Sequence, residues 1–171
     1  MNLIIICDLD GTVVDSMDRI NGITKQYNLD NIGLWTEEHI RAFAKEAYIK
    51  NDPLVPGAEK LPILARVSKA KIIFLTGRSS IAREATNIWL KHKLNIFDTV
   101  PLLMREDKDL SDPVECKYNM FKNIVLRMYP KSSFIFFDDD EKLLKLYAQH
   151  GLALKAPDCW NIIRSQDDEL P

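Results

Sequence analysis

An apolar run near the start of the chain, Leu3-Ile4-Ile5-Ile6-Cys7, stops on two carboxylates, Asp8 and Asp10, followed at once by Gly11-Thr12. Five residues suit a short buried strand and are far too few to cross a membrane. The strand therefore ends where the backbone turns and two acids share a small space. Close like charges repel unless a cation joins them or one carries a proton. A hard divalent cation such as Mg²⁺ satisfies such oxygens and leaves room for phosphate. The first dozen residues already point to phosphate chemistry.

The rest of the chain repeats the theme. Lys71-Ile72-Ile73-Phe74-Leu75 reads as a second buried strand, ending at Thr76-Gly77-Arg78. Val100 to Met104 reads as a third, interrupted by Pro101, and Leu152-Ala153-Leu154 as a short fifth. The fourth, Phe134-Ile135-Phe136-Phe137, delivers Asp138-Asp139-Asp140. Helical spacing fills the intervals: one helix through Leu61, Leu64, Ala65 and Val67, and one capped by Ser79 or Ser80 with Ile81, Ala85, Ile88 and Trp89 on its apolar face. A third starts with Asp112 as cap, Pro113 in the first position and Glu115 closing a capping box. It runs towards Met128 with Val114, Phe121, Ile124, Val125 and Met128 inward, and a fourth ends near Gly151 as its C-terminal cap. Strands alternating with helices predict an α/β fold around a largely parallel sheet. Residues from about Asp15 to Asp52 lack a clear strand. Thr36-Glu37-Glu38 looks like a helix start, with Ile40, Phe43, Ala44 and Ala47 at helical spacing, so this stretch reads as a small insertion of one or two helices.

The bulk numbers exclude several classes. With 171 residues, 46% of them hydrophobic and 28% charged, the chain suits one globular domain over 1–171. A net charge of −2 argues against general polyanion binding and leaves room for a local basic groove. Cys7, Cys116 and Cys159 lack metal-ligand spacing and read as reduced thiols of a cytoplasmic protein. His39, His92 and His150 show no zinc pattern and read as surface residues. Neither a secretion signal nor a long apolar span is present, no obligate protein partner is evident, and the tail from Gln166 to Pro171 reads as acidic and loose.

In open parallel sheets, sites lie beyond the carboxyl ends of the strands. Three strands here end in functional groups: Asp8 and Asp10, Thr76, and Asp138 with Asp139. Lys117 sits near the start of a helix, where a cation does nothing for the helix dipole and makes sense if it reaches a phosphate or carboxylate.

In this order, Asp8-Leu9-Asp10-Gly11-Thr12, Thr76-Gly77-Arg78, Lys117 and Asp138-Asp139 resemble the four motifs of the haloacid dehalogenase (HAD) superfamily of phosphohydrolases, over nearly the whole chain. The chain is similar, more closely, to the 3′-phosphatase domain of bacteriophage polynucleotide kinase and its stand-alone relatives. Arg19, the stretch from Pro53 to Gly57, Arg78, Leu103-Met104-Arg105, Tyr147 and Gly151 carry that likeness. Two positions depart from it: Asp140 stands where a basic residue is usual, and Pro113 displaces an expected acid to Asp112. The resemblance implies a Rossmann-like three-layer sandwich with a mostly parallel central sheet and a small helical cap insertion at about 15–52. It also implies an Mg²⁺-dependent phosphatase acting on phosphorylated polynucleotide ends. No Gly-x-x-x-x-Gly-Lys-Ser/Thr loop is present, so the expected activity is that of the phosphatase without a kinase half.

A carboxylate nucleophile splits phosphate ester hydrolysis into two steps through an aspartyl-phosphate. Asp8 meets the sheet end first and is the expected nucleophile; Asp10 would protonate the leaving oxygen and then activate water. The metal would be held by Asp8, the backbone carbonyl of Asp10, and Asp138 or Asp139. Thr76 and nearby backbone N–H groups would hold phosphoryl oxygens and Lys117 would balance charge, with Arg19, Gly77 and Arg78 on the substrate side.

Taken singly, the same residues have plainer readings. Asp-Gly is a turn signal, Thr76 a helix cap, Asp140 the N-cap of the following helix, and Lys117 a solvated helix residue. Arg19, Arg78 and Arg105 are each equally well surface residues, and Trp35, Trp89 and Trp160 read as packing. What the plainer readings leave unexplained is the four motifs in order. Two other functions compete: a 5′-nucleotidase or small-metabolite phosphatase, and a non-catalytic receiver-like module phosphorylated on aspartate. A receiver carries its reactive Asp on a middle strand, whereas the corresponding strand here ends in Thr76.

Overall fold

The apolar runs meet edge to edge. In the computed structural model, which describes residues 2–29, 36–97 and 99–163, β1 (Leu3–Cys7) is followed by α1 (Met17–Tyr27), α2 (Glu37–Phe43), α3 (Glu46–Ile49), α4 (Lys60–Ser68) and β2 (Lys71–Ser79). Then come α5 (Arg83–Leu94), β3 (Leu102–Arg105) and α6 (Pro113–Met120), which continues through a π-turn over Phe121–Val125 into α7 (Leu126–Met128). The chain closes with β4 (Ser133–Asp138), α8 (Glu141–Tyr147), β5 (Gly151–Lys155) and α9 (Asp158–Ile162). The strands lie in the order β3-β2-β1-β4-β5, every neighbour parallel.

Strand periodicity divides the core in two. Ile5, Cys7, Phe74 and Phe137 face one side, where Leu61 and Ala65 of α4, Trp89 and Leu90 of α5, and Trp160 of α9 cover them. Ile4, Ile6, Ile73, Leu75, Phe134 and Phe136 face the other, under Phe121, Val125, Leu143 and Tyr147. A continuous apolar strand needs cover on both faces, and this one has it. The Phe136 ring stacks on Tyr147 with centroids 4.3 Å apart, and Phe121 meets both edge-on. Trp89 and Trp160 are fully buried core, as expected, while Trp35 and the 166–171 tail lie outside the described residues.

Several helix faces differ from the pattern. The expected helix from Asp112 to Met128 is interrupted by the π-turn, whose i→i+5 bonding rotates the following residues. Ile124 and Met128, expected inward, are consequently 39% and 63% exposed. On α5, Ala85 and Trp89 point inward, whereas Ile81, in the 3-10 turn before the helix, and Ile88 are exposed. Thr86 takes an inner place because its hydroxyl accepts from Arg78 Nη1 at 3.2 Å. Val67 of α4 is also exposed. Gly151 does not cap α8, which ends at Tyr147; it opens β5, and a Cβ there would collide with the Phe134 carbonyl. His39, expected at the surface, is buried because its ring closes the capping box: Thr36 N–H donates to Nδ1 at 2.9 Å.

The segment between β1 and α4 holds three helices among the described residues, where the spacing predicts one or two. Its two ends are tied together. Val14 forms a bridge with Leu54, Asp15 N–H donates to the Pro53 carbonyl at 2.9 Å, and Val55 N–H to the Val13 carbonyl at 2.9 Å. All three cysteines are free and buried, and among the described residues no helix is long and apolar enough to cross a membrane.

Candidate active site

The carboxyl ends of β1, β2 and β4 open on a cleft of about 1180 Å³, bounded on another side by Met17, Ile20, Ile40 and Phe43 of α1 and α2. Asp8, Asp10, Thr76, Gly77, Arg78, Lys117 and Asp139 all line it. Asp138, at the end of β4, lies buried just behind. The parallel register forces this gathering, since β1 is bonded to β2 on one side and β4 on the other and all three stop at the same edge.

Lys117 stands between two of the acids. Its Nζ lies 3.2 Å from Asp8 Oδ2 and donates to Asp138 at 2.9 and 3.1 Å. Burial works against the ammonium, but Asp8 and Asp138 outweigh it and raise its proton affinity. Burial also pushes Asp8 up to about 7; Lys117 opposes the shift and Asp138 and Asp10 reinforce it. Asp139, closer to solvent, is pushed up to about 6 by burial and by Asp8, and burial raises Asp138 as well. Each of Asp8, Asp138 and Asp139 brings an oxygen to within 4.8 Å of the others. Three crowded carboxylates that hold protons too tightly, with one ammonium among them, form a hard-oxygen donor set that suits a divalent cation. Gly11 makes the crowding possible: its φ is +78°, and a Cβ there would run into the Asp139 carboxylate.

Asp10 has a different environment. Arg78 grips it with Nε to Oδ2 at 2.6 Å and Nη2 to Oδ1 at 2.7 Å, and Arg19 Nη2 donates to Oδ1 at 2.8 Å. Burial alone would raise its pKa, but the two guanidiniums outweigh burial and hold Asp10 below the usual carboxylate range. Both arginines are in turn backed by Asp52, whose Oδ2 lies 2.7 Å from Arg19 Nη2 and 3.8 Å from Arg78 Nη2. Arg19 also donates to the Phe43 carbonyl at 2.7 Å and lies over the Phe43 ring at 3.6 Å. The arginine side chains are 2% and 1% exposed, so neither is the surface residue that a single-residue reading suggests, and their donors are committed largely to Asp10 and Asp52.

Thr76 is buried, and its Oγ1 accepts from Arg78 N–H at 3.2 Å. Strand β2 continues past it to Ser79, with a register shift against β3 between Thr76 and Ser79 that turns Gly77 and Arg78 out of the ladder towards the cleft. Asp140 caps α8 and Asp112 caps α6, each accepting two backbone N–H bonds, as the sequence predicts. One residue of this neighbourhood escapes sequence reasoning, and a second departs from its single-residue reading. Asp52 carries no motif, and its position beside Pro53 at the close of the inserted stretch is its one signal. Arg105 stands in the Leu-Met-Arg motif, yet taken singly it reads as a surface residue; the structure buries it beside Gly77.

The profile of the polynucleotide kinase PNKP phosphatase domain matches residues 2–160. The chain belongs to this family. As a PNKP-family domain it is a phosphatase of the HAD superfamily. It is 26% identical over 160 residues to a protein of Autographa californica nuclear polyhedrosis virus named as a bifunctional polynucleotide kinase/RNA ligase, covering 94% of this chain and 19% of that protein. A chain of the Pnkp1/Rnl/Hen1 RNA repair complex superposes with a TM-score of 0.65 at 21% identity, over 91% of this chain and 42% of its own. CbbY from Rhodobacter sphaeroides, solved with phosphate, gives 0.56 at 16% identity, over 92% and 87%. These structural likenesses establish the HAD fold. The PNKP-family domain thus spans about a fifth of its viral relative and under half of the repair-complex chain.

Proposed function

We propose that the chain is an Mg²⁺-dependent phosphomonoesterase that removes 3′-phosphates from polynucleotide ends through a phosphoaspartate on Asp8. The observation that carries this reading is the separation of two acids two residues apart: Asp8 joins Lys117, Asp138 and Asp139, while Asp10 is held by Arg78 and Arg19. Opposed environments for paired carboxyl groups mark a division of chemical labour. The polynucleotide substrate is supported by the family and by its viral relative, and a cytoplasmic location by the free buried thiols.

An oxygen of Asp8 attacks phosphorus, the bond from phosphorus to the 3′ oxygen breaks, and Asp10 gives that oxygen its proton. Asp10, again a carboxylate, then takes a proton from water as the water oxygen attacks phosphorus. The bond to Asp8 breaks, restoring the carboxylate and releasing inorganic phosphate. Thr76 Oγ1 and the N–H groups beside Gly77 hold the phosphoryl oxygens, and Lys117 balances their charge. Asp8, Asp139 and the backbone carbonyl of Asp10 would hold Mg²⁺, with Asp138 occupied in fixing Lys117. Bound there, the ion would screen Asp8 from the dianionic phosphate and lower its proton affinity. Asp10 acquires its proton when that dianion arrives and offsets the arginines. Arg19 and Arg78 serve the substrate through Asp10, and the 15–52 segment caps the cleft.

The test is phosphate release in Mg²⁺ from a 3′-phosphorylated oligonucleotide beside nucleoside 3′- and 5′-monophosphates, with Asp8→Asn as control. The expected result is faster turnover of the oligonucleotide, lost in the variant. Turnover of mononucleotides alone sinks the polynucleotide reading and leaves a nucleotidase.

A further inference from the structure

Most buried cations of the cleft are spoken for. Arg19 and Arg78 are paired with Asp10 and Asp52, and Lys117 with Asp8 and Asp138. Arg105, at the end of β3, is the exception. It is 6% exposed and lines the same cleft, yet among the described residues its guanidinium forms no ion pair. Its Nε has no hydrogen-bond partner, and Nη1 donates weakly to the Asp109 carbonyl at 3.4 Å. The neighbouring acids are engaged mainly elsewhere: Asp109 accepts from Ser111 N–H and from the Cys116 thiol and feels the Arg105 charge without forming an ion pair with it, Asp112 caps α6, and the guanidinium itself lies beside the Cys116 side chain. A cation withdrawn from water with no carboxylate in ion-pair contact is costly, so such a group at a cleft wall suits an anion that arrives from outside.

The local backbone keeps the group open to that anion. The register shift pairs Arg105 with Ser79, and Gly77 lies against the guanidinium. A Cβ on Gly77 would stand 3.6 Å from Arg105 Nη2, in contact with it, so the bare glycine keeps a side chain from packing over that nitrogen. The transferred phosphoryl group already has Lys117 and Thr76. We infer that Arg105 receives a second anion of the substrate, the phosphodiester that joins the 3′-terminal nucleotide to its neighbour, an inference that rests on the polynucleotide reading. A planar guanidinium with free donors suits the two non-bridging oxygens of a phosphodiester.

The experiment compares two 3′-phosphorylated dinucleotides, one with the natural internal phosphodiester and one with a neutral methylphosphonate, on wild-type protein, Arg105→Gln and Arg105→Lys. In wild type, neutralising the linkage lowers kcat/KM roughly 10- to 100-fold, the scale of a charge-assisted hydrogen bond, mostly through KM. In Arg105→Gln the two substrates become equivalent, and Arg105→Lys restores part of the difference. Wild type that ignores the linkage overturns the inference, and this arm stands even if Arg105→Gln does not fold. Loss in Arg105→Gln that is equal for both substrates also overturns it, assigning Arg105 to the terminal phosphate. Turnover of the dinucleotides without linkage sensitivity removes the Arg105 inference alone; no turnover of either, while nucleoside monophosphates are hydrolysed, removes the polynucleotide reading with it.

Discussion

Arg78 holds Asp10 at two points, 2.6 and 2.7 Å, which fixes both the orientation of the carboxylate and its charge. Lysine in place of Arg78 keeps the charge and loses the fork. Arg78→Lys is expected to lower kcat about 100-fold, the lower end of what general acid–base catalysis supplies. Because a weaker partner lets Asp10 keep its proton to higher pH, the alkaline limb of the rate profile should move upward. A pH–rate profile of the variant checks both, and an unmoved limb would separate Arg78 from the titration of Asp10.

Asp52 offsets the charges of Arg19 and Arg78 from behind, with its own side chain 6% exposed. Breaking a buried pair from one side leaves an uncompensated charge, which costs about 3–5 kcal/mol. Asp52→Asn is expected to lose stability on that scale in urea denaturation, with activity falling alongside. A variant as stable as wild type would mean that Asp10 alone satisfies both arginines.

The cation-free protein should lose stability as pH rises. Asp8 and Asp139 bind protons more tightly folded, at about 7 and about 6, than an unfolded aspartate does. Their contribution is full below the unfolded value near 4 and is lost as pH climbs through 6 and 7. Asp10, held low, acts in the opposite sense: its contribution is present above the unfolded value and is lost only as pH falls into the acid range. Added Mg²⁺ should therefore raise the Tm more at pH 8 than at pH 5, where protons occupy its ligands. Asp139→Asn should stabilise the cation-free protein at pH 8 and abolish most of the Mg²⁺ response. Thermal melts across pH, with and without the ion, decide this; equal shifts at both pH values would contradict it.

Two glycines separate the chemistry from the scaffold. Gly11→Ala places a Cβ against Asp139 at a positive φ, so loss of the Mg²⁺-induced shift in Tm is expected together with loss of turnover. Gly151→Ala drives a Cβ into the Phe134 carbonyl at the β4–β5 edge, far from the reacting groups. Overpacking of that kind costs about 1–3 kcal/mol. Its molecules that remain folded at low temperature should keep the wild-type Mg²⁺ response, and Tm titration with the ion compares the two.

The strands and the acids they deliver were legible because both signals are local. Ile4-Ile5-Ile6 must be buried, and Asp8 must follow it at the sheet edge whatever surrounds them. Lys117 was legible through its misfit with the helix start. Faces set by distant partners were not. Thr86 points inward for the sake of Arg78, eight residues earlier, and Ile124 points outward because a π-turn around buried Phe121 alters the helical period. The role of Arg19 depends on Asp52, 33 positions away, with no spacing to announce it. Buried charge networks are long-range in sequence, so a chain read alone names Asp10, Arg19 and Arg78 without showing that Asp52 ties them together.

The bridge of Val14 with Leu54, and the hydrogen bonds on either side of it, bring the segment between them out and back through a single doorway. The segment is pinned beyond the doorway as well: Ile49 is buried in the core, Trp89 Nε1 donates to the Asp52 carbonyl at 2.9 Å, and Arg41 pairs with Asp107 at 3.2 Å. Between these anchors its length could change while β1 stayed in place between β2 and β4. Such a joint lets the chemistry of the sheet edge and the choice of what reaches it change independently. Arg19, bonded to Asp10, and Asp52, behind Arg78, are the threads between them, and any exchange of the segment must supply substitutes for both.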